Sequence, residues 1–206
     1  PETVWSFENN LKDKIQNKAN FDSAQLLDIK QAITDNNSEK VFEWEKNYYE
    51  NELLLSEYNV NNEEVKQYFE VNNVIDGFFT ISQLLFGIKY REVEEPSVWD
   101  DEVLMYEMLE KSTGDLIGVF YLDLYPRENK YQHAAEFTII SGKKIGDHYQ
   151  LPVACLVCNF PRSTAERPSL LPHDDVETFF HEFGHLLHEL LSTTELSSQS
   201  GTSVAM

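Results

Sequence analysis

Apolar residues recur at helical spacing through the first part of the chain and fall into alternating or short continuous runs through the second. Leu26, Leu27, Ile29 and Ile33 follow Asp22 and Gln25, which match a capping box, so a helix is predicted to start there. The polar stretch Asp35-Asn36-Asn37-Ser38 breaks it. Residues 39–57 are predicted to form a second helix, with Val41, Phe42, Trp44, Tyr48, Tyr49, Leu53 and Leu54 set among acidic residues. Asn61-Asn62 opens a short helix reaching Phe69. Val74, Ile75, Phe78, Ile81, Leu84 and Leu85 make the stripe of another, which ends near Gly87. These aromatic stripes read as core.

Beyond Arg91 the period changes. Strands are predicted at residues 103–109 and 116–124, joined by Lys111-Ser112-Thr113-Gly114-Asp115, whose glycine suits a hairpin loop with a bulge. Residues 134–140 and 152–160 supply two more, separated by a charged, glycine-containing loop over residues 141–147. A last helix is predicted over about residues 175–191, with Asp174 and Glu177 as a capping pattern behind Pro172. The expected fold is α+β and predominantly helical: helices over residues 1–90, then a small antiparallel or mixed sheet at about residues 102–160 followed by the final helix. No repeat or linker interrupts it, so one continuous unit is the simplest division.

Composition narrows the partners. Sixteen basic against 36 acidic residues give a net charge of −20, which argues against nucleic acid and against anionic membranes, both of which reward basic residues. No apolar run approaches the length of a membrane span, and nothing at the N-terminus resembles a signal peptide. The start at Pro1 suggests a trimmed or excised segment. Cys155 and Cys158 lie in an apolar strand-like run and read as free thiols, with redox chemistry or half of a zinc site as the other readings of C-x-x-C. A reducing, cytoplasmic compartment fits best.

Candidate chemistry concentrates in the last helix. His181-Glu182-Phe183-Gly184-His185 is an H-E-x-x-H motif; residues four apart share a helix face, so both imidazoles can reach one metal ion, and the geometry suits zinc. Glu182 can then take a proton from a water beside the metal, which proposes peptide hydrolysis. His188 shares the face but lies about 10.5 Å along the axis from His181, too far for one ion. It reads as supporting the ligands, facing substrate or structural. Glu177 and Glu189 lie one turn from a histidine, where each either orients an imidazole or is a solvated charge. Gly184 suggests close approach of a strand, a substrate backbone or a packing neighbour.

The stretch Phe120-Tyr121-Leu122-Asp123-Leu124-Tyr125-Pro126-Arg127-Glu128-Asn129-Lys130-Tyr131-Gln132-His133-Ala134-Ala135, with Asn159-Phe160, Pro168-Ser169-Leu170-Leu171 and the residues 176–185 around the motif, resembles the thimet oligopeptidase family of zinc metallopeptidases, family M3. Val65-Lys66-Gln67-Tyr68-Phe69 and Leu84-Leu85-Phe86-Gly87-Ile88 look like the same family, so the resemblance covers essentially the whole chain. It implies a zincin-like fold, one Zn2+ per complete active site, His181 and His185 as zinc ligands, Glu182 as general base, and short peptides as substrates. It also implies that residues 1–206 are part of the catalytic region of a longer enzyme. The third ligand, a glutamate in the family, is then expected beyond Met206, and the chain alone is expected to bind zinc weakly and to be inactive. The strand ending at Asn159-Phe160 is a candidate to pair with an extended substrate. A dipeptide-releasing carboxypeptidase of the same family and a non-catalytic peptide-binding module are the alternatives. His133, His148, His173 and Arg127 are assigned surface or structural roles, and Tyr131 has no assigned role.

Overall fold

The computed structural model describes residues 1–34 and 38–203. The expected break at residues 35–38 therefore falls outside the described residues except for Ser38. Packing divides the chain into two units, Pro1–Glu63 and Glu64–Met206.

In the first unit, α1 runs unbroken over Glu2–Thr34, so the capping box expected at residues 22–25 lies inside a helix. The reason is local: residues 2–21 contain no glycine or proline, and Asp22 pairs one turn back with Lys18 instead of capping. After a short 3-10 turn, α2 (Lys46–Tyr58) ends on Asn59 in the left-handed region at φ 53°. The two helices meet around Leu26, Tyr49 and the buried Lys30, whose ammonium donates to Lys40 O at 3.1 Å and Glu45 Oε2 at 2.6 Å.

The single turn α3 (Asn62–Val65) leads to the second unit. There α4 (Val71–Phe86) is capped by Glu70, whose carboxylate accepts from Asn73 N–H at 3.1 Å, and it stops at Gly87 with φ 68°. The chain turns straight into β1 (Ile88–Glu92), so the sheet starts earlier than the pattern after Arg91 implies. β2 (Leu104–Glu110) and β3 (Leu116–Asp123) form the expected hairpin, with Gly114 at φ 80° and a register irregularity between Met108 and Leu109. β4 (Ala135–Ile140) is followed by a small two-stranded hairpin, β5 (Lys143–Ile145) with β6 (His148–Gln150), where the sequence suggested only a loop. β7 (Val153–Val157) completes a five-stranded mixed sheet of order β1-β2-β3-β7-β4, in which only β3 and β7 are parallel.

The final helix, α5, spans His173–Leu191 and packs on β3, β7 and β4. Its N-cap is Pro172, while Asp174 and Asp175 sit inside the first turn, where carboxylates meet the positive end of the helix dipole. Asp174 is therefore a first-turn residue and not the cap. Phe183 is fully buried at the centre of an aromatic cluster, with ring centroids 4.3 Å from Phe78 and 5.5 Å from Phe120. Gly118 of β3 permits this approach: a Cβ there would lie 2.9 Å from both Leu190 Cδ2 and Pro152 O.

Candidate metal centre

Burying Phe179, Phe183, Leu186, Leu187 and Leu190 fixes the rotation of α5 and turns the opposite stripe away from the core. His181 is exposed, and Glu182 and His185 are half-buried. The two imidazoles converge: His181 Nε2 and His185 Nε2 are 3.1 Å apart, with their rings nearly perpendicular at 85°. Two nitrogens on one tetrahedral zinc, each about 2.05 Å from it, stand about 3.3 Å apart. The separation of the donor pair thus matches that expected on a single zinc ion. Among the described residues no third histidine, cysteine, aspartate or glutamate joins them; the cluster of suitable groups that does occur is the exposed His173, Asp174 and Glu177 at the other end of the helix.

Glu182 is held from outside its own helix. The main-chain N–H of Glu136 on β4 donates to Glu182 Oε2 at 3.1 Å. That N–H takes no part in the ladder to β7, because Glu136 faces Leu156 in a pairing that turns its N–H outward. The carboxylate therefore caps the free edge of the sheet, on the same helix as the two imidazoles. The topology also corrects one expectation. β7, the strand ending before Asn159-Phe160, is paired on both sides, by β3 and β4, and has no edge for a substrate; the free edge at the site is that of β4.

The remaining candidates separate clearly. Glu177 faces His173, 3.9 Å from its Nδ1, and the buried Glu189 accepts from Ser200 Oγ at 3.2 Å. Neither is hydrogen-bonded to His181 or His185 among the described residues. Ser200 and Gly201 close over Glu189 so tightly that a Cβ on Gly201 would meet Glu189 Oε2 at 1.8 Å. His188 is exposed and borders a cavity of about 350 Å³ with Phe86, Gly184, Leu187, Leu191 and Ser192. Gly184 faces open space: a Cβ there would find no neighbouring atom within 4 Å, so neither a strand nor a packing neighbour approaches it among the described residues. Cys155 and Cys158 are buried and unpaired, and burial pushes both thiols up to about 12. That removes the thiolate needed for metal binding or redox exchange at neutral pH.

Sequence reasoning passed over the cluster that fixes the approach to β4. The Lys130 side chain is buried, and its ammonium donates to Asp123 O at 2.9 Å, Tyr125 O at 2.6 Å and Cys158 O at 2.7 Å while pairing with Asp123 Oδ1 at 2.8 Å. Arg127 grips the same carboxylate in a fork, at 2.6 and 2.7 Å, and Trp99 Nε1 donates to it at 3.0 Å. Burial works against the Asp123 carboxylate, but the hydrogen bonds from Arg127, Lys130 and Trp99 outweigh it and hold the group below its ordinary range. The ends of β3 and β7 and the loop into β4 are thereby tied to one point. Asn159 Nδ2 adds a bond to Tyr131 O at 3.0 Å. The readable signal was an aspartate and a lysine inside an otherwise apolar strand-and-loop stretch, where each needs a partner.

Comparison with known proteins follows the same residues. The whole chain, residues 1–206, matches the sequence model of Peptidase family M3. It is 37% identical to a thimet-like oligopeptidase of Dictyostelium discoideum, over 98% of this chain and 32% of that protein. It is 33% identical to oligopeptidase A of Escherichia coli, over 98% of this chain and 30% of that protein. Human mitochondrial intermediate peptidase is 33% identical, over 98% of this chain and 28% of that protein. The chain thus spans about a third of the length of these relatives.

Proposed function

The chain belongs to Peptidase family M3, and from that premise we propose that it is a catalytic segment of a zinc-dependent oligopeptidase that hydrolyses short peptides. The observation that carries the reading is the convergence of His181 and His185 Nε2 at 3.1 Å on the helix whose Glu182 carboxylate is tied to the free edge of β4.

His181 and His185 would hold zinc through Nε2. When bound, zinc supplies a Lewis acid that acidifies water and polarises the scissile carbonyl. Glu182 accepts the proton of the attacking water and returns it to the leaving amine. Its bond to Glu136 N–H fixes where that carboxylate points before substrate arrives. A peptide in extended form adds to the β4 edge, so main-chain hydrogen bonds set its register against Glu182 whatever its side chains. Two protein ligands are one short of a catalytic zinc site, so this chain alone is expected to bind zinc weakly and to cleave little peptide until a third ligand completes the site.

Among the described residues no helix is long and apolar enough to cross a membrane. The two unpaired cysteines fit a reducing, cytoplasm-like compartment.

The test is metal removal. Chelation of the complete enzyme should abolish cleavage of short peptides, zinc should restore it, and His181→Ala or His185→Ala should lower zinc content measured after dialysis. Full activity in the metal-free enzyme would refute the reading.

A further inference from the structure

Glu136 carries more than the amide that holds Glu182. It lies on the outermost strand of the sheet, opposite Leu156 of β7, which in turn lies opposite Leu122 of β3. Residues in line across a sheet share a face. Leu122 and Leu156 both lie in the core with Phe183, Leu186 and Leu187 of α5, so the Glu136 side chain faces α5 as well. Thr138, two residues on and on the same face, donates to Glu136 Oε1 at 3.3 Å.

This carboxyl is half-buried and within electrostatic reach of two others on α5, Glu182 and Glu189. Burial, and beyond it the like charges of Glu189 and Glu182, push it above the ordinary carboxylate range against the hydrogen bond from Thr138. None of the three, Glu136, Glu182 or Glu189, forms an ion pair among the described residues. Nor does the Glu136 carboxyl join His181 and His185 as a metal ligand. A charged group on the free edge, facing the helix that carries the reactive carboxylate, is therefore left without a cation.

We propose that Glu136 is a specificity-determining residue, which selects peptides with a lysine or arginine side chain next to the scissile bond on the α5 side of the β4 edge. The inference rests on the zinc-peptidase reading of the same site. A peptide strand added to β4 projects alternate side chains toward α5. Because the Glu136 N–H touches Glu182, the side chain projecting there belongs to a residue close to the bond being cut. A cationic side chain at that position pairs with Glu136 and offsets its repulsion from Glu182 and Glu189.

The experiment measures kcat/KM of the zinc-loaded, full-length peptidase on matched peptides that carry lysine, norleucine or glutamate on either side of the cleaved bond. The expected result is a preference for lysine over norleucine of roughly fivefold at low salt at one of the two positions. That preference should shrink as salt is raised. In Glu136→Gln the lysine-to-norleucine ratio should fall to about one, and in Glu136→Lys glutamate should become preferred over lysine. Ratios within one variant cancel any general loss of activity. Cleavage of all peptides with no lysine preference in the unsubstituted enzyme, or a preference that survives Glu136→Gln, overturns this inference and leaves the peptidase reading standing. Failure of the zinc-loaded enzyme to cleave any peptide overturns the peptidase reading itself.

Discussion

Replacing Lys130 by methionine removes one charge while keeping much of the side-chain volume, and it isolates what the buried cluster contributes. Three main-chain carbonyls, of Asp123, Tyr125 and Cys158, lose the donor that now lies within 2.9 Å of each. Asp123 O keeps the N–H of Cys158 at 2.8 Å, so two acceptors are orphaned at about 1 kcal/mol each, and the lost ion pair with Asp123 Oδ1 brings the total to about 3 kcal/mol. Asp123 is not left bare, because Arg127 and Trp99 still reach it. The cost therefore stays near the lower end of the roughly 3 to 5 kcal/mol typical of breaking a buried pair. Urea unfolding followed by near-ultraviolet circular dichroism reads the aromatic core of the second unit. With a denaturant slope of about 2 kcal/mol per molar, the midpoint should fall by about 1.5 M. A fall of less than about 0.3 M would show that Lys130 is not what ties the loop to the sheet ends, and the description of the cluster would be wrong.

Two further outcomes follow from the same packing. Because the folded Asp123 carboxyl is held below its ordinary range, its pairing stabilises the fold above the unfolded value near 3.9, and that contribution is lost as pH falls through the lower folded value. The stability gap between the unsubstituted protein and Asp123→Asn, measured by urea midpoints, should accordingly be wide at neutral pH and narrow from about pH 5 toward about pH 2. A gap that widens with acid contradicts the assignment. Phe183→Ala should cost about 3 to 5 kcal/mol, because it empties the centre of the cluster around Phe78 and Phe120. An unchanged thermal midpoint would mean that α5 is not seated on the sheet through that ring.

The parts of the site that share one helix were legible in the sequence, because i and i+4 positions fix their own geometry. His181 and His185 needed nothing else to converge. The α4 stripe and the β2–β3 hairpin were likewise written in local period and a turn glycine. What stayed hidden depends on partners far along the chain. The donor to Glu182 is a main-chain amide 46 residues away, and no side chain announces it. The identity of the free sheet edge depends on β7 crossing to lie between β3 and β4, which alternation within a strand does not encode. Local signals also misled. Asp22 and Gln25 match a capping box, yet the helix continues through them because nothing upstream breaks it. Lys143, Lys144 and Asp147 read as a charged loop, although two three-residue strands pair there, with the Tyr149 hydroxyl donating to Ser192 O at 3.0 Å.

The central claim, that Glu182 works as a base beside a metal held by His181 and His185, is tested most directly by Glu182→Gln in the complete enzyme. Zinc content and kcat/KM on a short peptide should be measured on the same preparation. Zinc should be retained at the level of the unsubstituted enzyme while kcat/KM falls by about 10² to 10⁴. Near-normal cleavage with zinc in place would contradict the account.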